Sequence, residues 1–185
     1  ETITVVPASS TSIYDAAANA AATSQSNNTA NFNDVSAPTI DSTSINSSNS
    51  ALTVTFSENV YDTSGGTGDL DAADFALSTS GGTATLISAT PTSITKTSQS
   101  VWVLGFSTSG TANGSETITV VPASSTSIYD AAANAAATSQ SNNTANFNDV
   151  SAPTIDSTSI NSSNSALTVT FSENVYDTSG GTGDL

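Results

Sequence analysis

Short runs that alternate apolar and polar residues dominate the pattern along this chain, and they predict β-strands. The clearest run covers residues 51–60, where Leu52, Val54 and Phe56 alternate with hydroxyl side chains. Period-two alternation is typical of a strand with one buried face. The run 100–107 is apolar on both faces, which predicts a central strand buried between layers. Further strands are predicted at residues 39–45, 75–78, 83–89, 116–121 and 144–147. Together these runs indicate an all-β fold.

Turn-forming residues suggest how two of these strands pair. Gly81 and Gly82 separate the runs 75–78 and 83–89, and this arrangement predicts a β-hairpin. The alanine-rich run 129–137 favours helix by propensity. It has no amphipathic stripe, however, and it is shorter than an isolated helix requires. We therefore expect a loop or one helical turn there.

The chain contains a long internal repeat. Residues 1–70 recur letter for letter as residues 116–185, which gives a period of 115 residues. Solenoid units are much shorter, at about 20–50 residues, so this repeat has the size of a domain. The sequence NDVSAP, at residues 33–38 and again at 148–153, is typical of an interdomain linker. The predicted units are the C-terminal part of one repeat (1–34), a complete repeat (35–149) and the N-terminal part of the next (150–185).

The two partial units lack counterparts of the strands that residues 71–115 supply. A hairpin without these partners has bare edges, and bare edges promote association. We expect each partial unit to be completed by flanking sequence in a longer array, or by neighbouring copies of the chain.

Composition argues against several classes of function. The chain has sixteen acidic residues and one base, Lys96, and it lacks Arg, His and Cys. Nucleic-acid binding needs basic groups, so we do not expect it. Without His, Cys or Arg no ordinary nucleophile–base pair is available, so we expect no enzyme activity. The sequence also lacks the apolar run of ~18 residues that would predict a membrane helix.

A glycine-containing loop after the best strand is rich in carboxylates. Its acidic residues are Glu58, Asp62, Asp69, Asp71 and Asp74. Calcium binds six to eight oxygen ligands, and such a loop can supply them. No base lies nearby in sequence to neutralise the loop. The alternative is that Asp71 caps a single helical turn while the other carboxylates point into solvent.

A second candidate calcium site lies at the repeat junctions. Asp34 and Asp149 occupy the two copies of the linker. Further carboxylates would come from the preceding turn (Asp15 or Asp130) and from the next strand end (Glu58 or Glu173). Cadherin-like arrays bind calcium in a similar arrangement at their linkers. The alternative is that Asp34 merely begins a turn.

Five motifs, in order, give the repeat a family resemblance: APTIDSTSIN, LTVTFSENV, LDAADFALSTSGGTA, ETITVVPAS and IYDAAANAA. The unit resembles the bacterial Ig-like domains of surface-layer and large repetitive surface proteins. The most specific elements are the strand end at 56–60 and the turn at 128–134. In that family the turn usually carries Gly before the Asn. This chain has Ala133 instead, and Ala resists the positive φ that Gly permits.

The resemblance implies tandem Ig-like β-sandwich domains in an extracellular or cell-surface array. Two roles stay open: a structural segment of a filament, sheath or cell-surface fibre, and the spacer of a calcium-dependent bacterial adhesin. Other copies of the repeat are the expected partners. Sequons that would permit glycans begin at Asn27, Asn46, Asn113, Asn142 and Asn161.

Overall fold

The computed structural model describes residues 1–184, and its regular structure is almost entirely β. The strands are β1 (Thr2–Thr4), β2 (Thr29–Asn31), β3 (Ile40–Ile45), β4 (Ala51–Phe56), β5 (Phe75–Ser80), β6 (Thr85–Leu86), β7 (Ser93–Ser98), β8 (Val101–Gly105), β9 (Thr108–Ser109), β10 (Thr117–Pro122), β11 (Thr144–Asn146), β12 (Ile155–Ile160) and β13 (Leu167–Phe171). A 3₁₀ turn, Ala72–Asp74, precedes β5. Within these residues, no helix is long and apolar enough to cross a membrane. The predicted all-β fold is confirmed.

Two antiparallel sheets build residues 35–149, which we call the central unit. One sheet has the strand order β3-β4-β8-β7 and the other has the order β11-β10-β5, while β6 and β9 form a small pair. The position of β8 between β4 and β7 confirms that it is a central strand. Its Trp102 and Leu104 are buried, but Val101 and Val103 are only half-buried. The prediction that both faces of this strand are covered is therefore wrong.

One cluster of buried apolar side chains joins the two sheets. The four-stranded sheet contributes Ile40, Leu52, Val54, Phe56, Trp102 and Leu104, and the three-stranded sheet contributes Phe75, Leu77, Ile118 and Val120. Alternation along β4 and β10 supplies these side chains, because every second residue of each strand is buried. Since both sheets bury their apolar faces in one core, the packing is compatible with a β-sandwich.

The glycine pair does not connect a hairpin. β5 pairs along its whole length with β10, and β6 pairs with β9. Gly81 and Gly82 both have positive φ, at 76° and 53°, and their loop closes over the side chain of Glu116. A Cβ atom on Gly82 would lie 2.1 Å from the Cδ of Glu116. The hairpin prediction is wrong because these glycines shape a loop around a buried side chain.

Other differences concern strands with little burial. The sequence pattern did not predict β7, which lies at the edge of its sheet and has mostly exposed side chains. The strand predicted at 51–60 ends at Phe56, and the strand predicted at 83–89 shortens to β6. The alanine-rich run forms a turn and no helix, which confirms the expectation for that segment. β7 shows no apolar alternation because Ile94 is its only apolar side chain that packs against the core.

Glu116 is a buried carboxylate that ties two loops to the start of β10. Its Oε1 accepts hydrogen bonds from the backbone N–H groups of Thr83 (2.7 Å) and Ala84 (2.8 Å), and its Oε2 accepts one from Asn113 (3.1 Å). Burial by itself raises the pKa of this carboxyl, but the backbone donors outweigh burial and the pKa of Glu116 falls below its ordinary value. The carboxylate thus takes the place of backbone acceptors for these loop N–H groups.

Identical segments have different surroundings inside and outside the central unit. Residues 1–34 form β1 and β2 with the register of β10 and β11, and residues 150–184 form β12 and β13 with the register of β3 and β4. Ile118 is completely buried, whereas its counterpart Ile3 is 56% exposed. Exposure of the outer copies follows from the missing neighbours: nothing equivalent to β5 or β8 pairs with them in the described residues.

We expect Glu116→Gln to destabilise the central unit by about 2 kcal/mol at pH 7, because charge-assisted hydrogen bonds to buried groups are lost. The folded-state pKa is lowered, so the carboxylate stabilises the fold above its ordinary pKa of 4.5 and loses this effect as the pH falls. Thermal unfolding of both proteins should give midpoints that approach each other below that pH.

Glu1→Gln is the control, since Glu1 is followed by the same residues as Glu116 but is exposed. Its unfolding midpoint should equal that of the wild type at every pH. A gap between Glu116→Gln and the wild type that is the same at pH 7 and pH 3 would contradict the role given to the charged carboxylate.

Candidate metal centre at the first linker

Three carboxylates from distant parts of the sequence meet at the first linker. Asp34 lies in the linker, Glu58 follows β4, and Asp130 lies in the turn after β10. One oxygen atom from each lies within 4.8 Å of the others. Asp34 is exposed, Glu58 is half-buried and Asp130 is buried. We call these residues the linker triad. No other group of three potential metal ligands comes this close in residues 1–184.

Backbone pairing brings the turn that carries Asp130 to the end of β4. Tyr61 and Tyr129 exchange two backbone hydrogen bonds, of 2.7 and 2.8 Å. Within the turn, Oδ1 of Asp130 accepts hydrogen bonds from the N–H groups of Ala132 (2.8 Å) and Asn134 (2.7 Å). The amide of Asn134 donates to Oδ2 of Asp130 (2.7 Å). The turn therefore fixes the Asp130 carboxylate, and the tyrosine pair places it in the triad.

The same turn forms in the exposed copy of the repeat. Oδ1 of Asp15 accepts hydrogen bonds from the N–H groups of Ala17 (2.9 Å) and Asn19 (2.8 Å). Hydrogen bonds from the side chain and backbone of Asn19 lower the pKa of Asp15. Ala133 and Ala18 both adopt positive φ, at 74° and 68°. The turn is thus encoded locally, and its hydrogen bonds hold Ala in a backbone conformation that favours Gly.

One hydrogen bond holds the linker against this turn: the amide of Asn134 donates to the backbone oxygen of Asp34 (3.3 Å). Within the linker, the N–H of Ser36 donates to Oδ1 of Asp34 (2.9 Å). The N–H of Ile40, where β3 begins, donates to Oε1 of Gln140 (2.8 Å). Asp34 therefore begins a turn, as the alternative interpretation states, and also lies in the triad.

The electrostatics of the triad favour a cation. Burial raises the pKa of Glu58, and the negative charges of Asp130 and Asp34 raise it further. The single base of the chain, Lys96, pairs with Asp69 and does not reach the triad. Carboxylate oxygens are the preferred ligands of hard divalent cations such as calcium. The residues present are thus of the type that would hold calcium.

The acidic loop does not converge on one point. Asp71 caps the 3₁₀ turn by accepting from the N–H of Ala73 (2.7 Å), and Asp74 completes a capping box by accepting from the N–H of Asp71 (2.7 Å). Asp69 pairs with Lys96, which β7 brings to the loop. The statement that no base neutralises this loop is therefore wrong. Of the five predicted ligands there, Glu58 joins the triad, and Asp62, Asp69, Asp71 and Asp74 do not.

The second linker repeats part of this arrangement. Oδ1 of Asp149 accepts from the N–H of Ser151 (2.8 Å), as Asp34 does from Ser36. Asp149 and Glu173 line one cleft of about 460 Å³. Asp149 and Glu173, the counterparts of Asp34 and Glu58, thus both lie at this linker. Within the described residues, however, Asp149 is not part of a group of three converging carboxylates.

Comparison of the chain with protein-family models, with curated proteins and with solved structures finds no match. The linker triad is therefore interpreted from its geometry and charge. Sequence reasoning named all three members, because each carboxylate recurs beside a linker or a strand end. It expected the turn that precedes each linker to contribute, which assigns Asp15 to Asp34 and Asp130 to Asp149. That assignment is wrong for the first linker, because the fold brings Asp130, from a turn that follows Asp34 in sequence, into the group.

We expect Ala133→Gly to stabilise the central unit by about 1 kcal/mol, because an L-residue in the left-handed region is strained by roughly that amount. Urea unfolding would measure the change. Ala132→Gly is the matched control: Ala132 is absent from the residues with positive φ, so the added backbone freedom should destabilise by about 0.5–1 kcal/mol. Equal effects of the two substitutions would contradict the strain at Ala133.

Proposed function

We propose that this chain is a structural segment of an extracellular filament, sheath or cell-surface fibre. Each 115-residue repeat would form one Ig-like β-sandwich that carries tension along an array. The observation that supports this role is the single core shared by both sheets of the central unit, within a chain that repeats its own sequence. A fibre can be lengthened by adding repeats that each have their own core, because each repeat can fold independently of the others.

The path of the chain through the central unit suits an array. The N–H of Ile40 bonds to the side chain of Gln140, and Oγ1 of Thr43 donates to the backbone oxygen of Thr144 (2.7 Å). Farther along, the amide of Asn49 donates to the backbone oxygen of Asn148 (2.8 Å). β3 and β11, the last strand of the central unit, therefore run side by side in the same direction. The chain enters at one end of the unit and leaves at the other, so successive units would follow one another in line.

Tension on such a unit would shear β3 against β11. Contacts loaded in shear share the force, whereas a hairpin pulled from one end opens one bond at a time. The composition also favours a structural role over catalysis, because the chain has neither His nor Cys and only one base. Its surface is acidic and rich in Ser, Thr and Asn, which keeps an extended array soluble.

The linker triad supports a second candidate role, the spacer of a calcium-dependent adhesin. Asp34 comes from the linker, whereas Glu58 and Asp130 belong to the central unit. A cation bound by all three would join the linker to the unit and reduce bending between repeats. Electron microscopy separates the two roles: regular lateral association of purified repeats favours a filament, and single extended rods favour a spacer.

Force spectroscopy on the chain tests the structural role. Pulling on the two ends should give one high-force event, because residues 35–149 are the only stretch of the described chain with a closed core. Unfolding of about 115 residues at ~3.6 Å each, less a folded length of ~40 Å, should add about 37 nm of contour length. Gradual extension without such an event would overturn the proposal that the unit carries tension.

Calcium titration tests the triad. In chelator, Glu58→Gln should raise the thermal midpoint at pH 7, because the raised pKa of Glu58 means that its charge opposes folding above its ordinary pKa of 4.5. With calcium the order should reverse: the wild type gains stability and the variant gains much less.

Asp41→Asn is the control, as Asp41 is an exposed carboxylate of the central unit that lies outside the triad. It should leave both the chelator midpoint and the calcium response of the central unit unchanged. If calcium does not change the thermal midpoint of the wild type, the proposal of calcium binding at the triad is wrong. The proposed structural role would be unaffected.

A further inference from the structure

We propose that the outer face of the four-stranded sheet is the surface through which complete repeats of neighbouring chains pack side by side. The occupant of this face is the same face of a second copy. We call it the lateral face, and its central rows are formed by Ser44, Thr53, Thr55, Thr95, Val101 and Val103. This inference deepens the proposed filament role and rests on it, because it names the partner and the surface of lateral association.

Charged residues are almost absent from the two sheets of the central unit. Among the strands β3, β4, β5, β7, β8, β10 and β11, only Asp41 and Lys96 are charged. Asp41 lies where the register of the edge strand β3 shifts. Lys96 lies opposite the buried Trp102 and pairs with Asp69, so it belongs to the other side of the sheet. Apart from Asp41 at one corner, the lateral face is therefore uncharged.

The loops carry the remaining acids of the central unit. The members of this group are Glu58, Asp62, Asp69, Asp71, Asp74, Glu116, Asp130 and Asp149. A protein that stays single in solution usually mixes charges over its whole surface, whereas the centres of interfaces are depleted in charge. Two copies that approach through their loops bring carboxylates together. Two copies that approach through their lateral faces do not, so the charge pattern favours a second copy on this face.

The side chains of the lateral face are short and lie in rows across the sheet. Thr53 is opposite Ser44 on one side and Val103 on the other, and Val103 is in turn opposite Thr95. Val101 and Val103 are half-buried, and they put two apolar side chains on the central strand β8. Sheets with short side chains can stack at the usual spacing of about 10 Å. Because identical faces meet, the contact is isologous.

The size of the face determines how strong one contact can be. Four strands spaced at about 4.8 Å, each with about five residues of about 3.3 Å, cover roughly 300 Å² per copy. A stable interface between two proteins needs about 800 Å² per partner. One pair of lateral faces is therefore too small for a stable dimer. An array presents the same face once in every repeat, so its contacts add, and association should strengthen steeply with the number of complete repeats.

Sedimentation velocity over a concentration series tests the proposal on two proteins. One is the 185-residue chain, which has one complete repeat, and the other is this chain lengthened by one further period of 115 residues, which has two. The longer chain should associate at a concentration at least tenfold lower. Residues 1–34 and 150–184 are present in both proteins and in all variants, so any association through them is common to all.

A charge exchange on the lateral face of the longer chain identifies the surface. Thr95 is exposed and lies beside Val103. Thr95→Glu or Thr95→Lys in both complete repeats should each weaken association at least tenfold, because an unpaired charge loses its hydration in the contact. An equimolar mixture of the two variants should associate more strongly than either alone, because opposite charges then meet.

Ser78→Glu is the matched control, since Ser78 is an exposed hydroxyl residue on the outer face of the three-stranded sheet, opposite Thr119. This variant should associate like the wild type. The near-ultraviolet signal of Trp102 should be the same in all variants, which separates failure to associate from loss of the folded unit.

Three outcomes would overturn the proposal: a longer chain that associates no more strongly than the shorter one, a Ser78→Glu variant that is weakened as much as Thr95→Glu, and a mixture of the Thr95 variants that gains nothing. Force spectroscopy on single chains tests the proposed structural role separately. A high-force event together with any of these outcomes leaves a repeat that carries tension without this lateral contact.

Discussion

Pairing of β8 with β4 is the interaction on which the rest of the structure depends. Leu52 lies opposite Leu104, and Val54 lies opposite Trp102, which is the largest fully buried side chain of the core. Within residues 1–184 the same sequence in β13 has no such partner, and its Leu167 is exposed. Identical residues are therefore core or surface according to whether the other strands of a repeat pack against them. Within the described residues, only the copies in the central unit have all of these strands.

Buried carboxylates organise the loops that the sheets leave open. Glu116 binds the N–H groups of two loops, and Asp130 binds those of its own turn. In the described residues no buried side-chain nitrogen or oxygen atom lacks a hydrogen-bond partner. The two acids differ in what they need: the Asp130 turn also forms in the exposed copy at Asp15, whereas the surroundings of Glu116 exist only in the central unit. The contacts of Asp130 therefore depend on local sequence and those of Glu116 on tertiary structure, although in both cases backbone N–H groups donate to carboxylate oxygens.

This difference explains how much the sequence alone could predict. Strands β4 and β10 were predictable, because burial of one face leaves period-two alternation in the sequence. β7 was not, because an exposed edge strand leaves no such pattern, and the pairing of Lys96 with Asp69 was missed with it. The hairpin at Gly81 failed for a related reason: the partner of that loop, Glu116, lies far along the chain. The members of the linker triad were predictable as acids in a linker, at a strand end and in a turn, but their meeting depends on the pairing of distant segments.

Site-resolved amide hydrogen exchange, measured by NMR on a segmentally labelled chain, tests the central claim most directly. Ile3 and Ile118 have identical neighbours in sequence, so their intrinsic exchange rates are the same. Measured at a concentration where the chain is monomeric, the Ile118 amide should exchange only on unfolding of the central unit. The Ile3 amide, in a two-stranded pair with an exposed face, should exchange faster by orders of magnitude. Equal protection of the two amides would contradict the account, because it would mean that packing against the rest of the central unit does not determine which copy is protected.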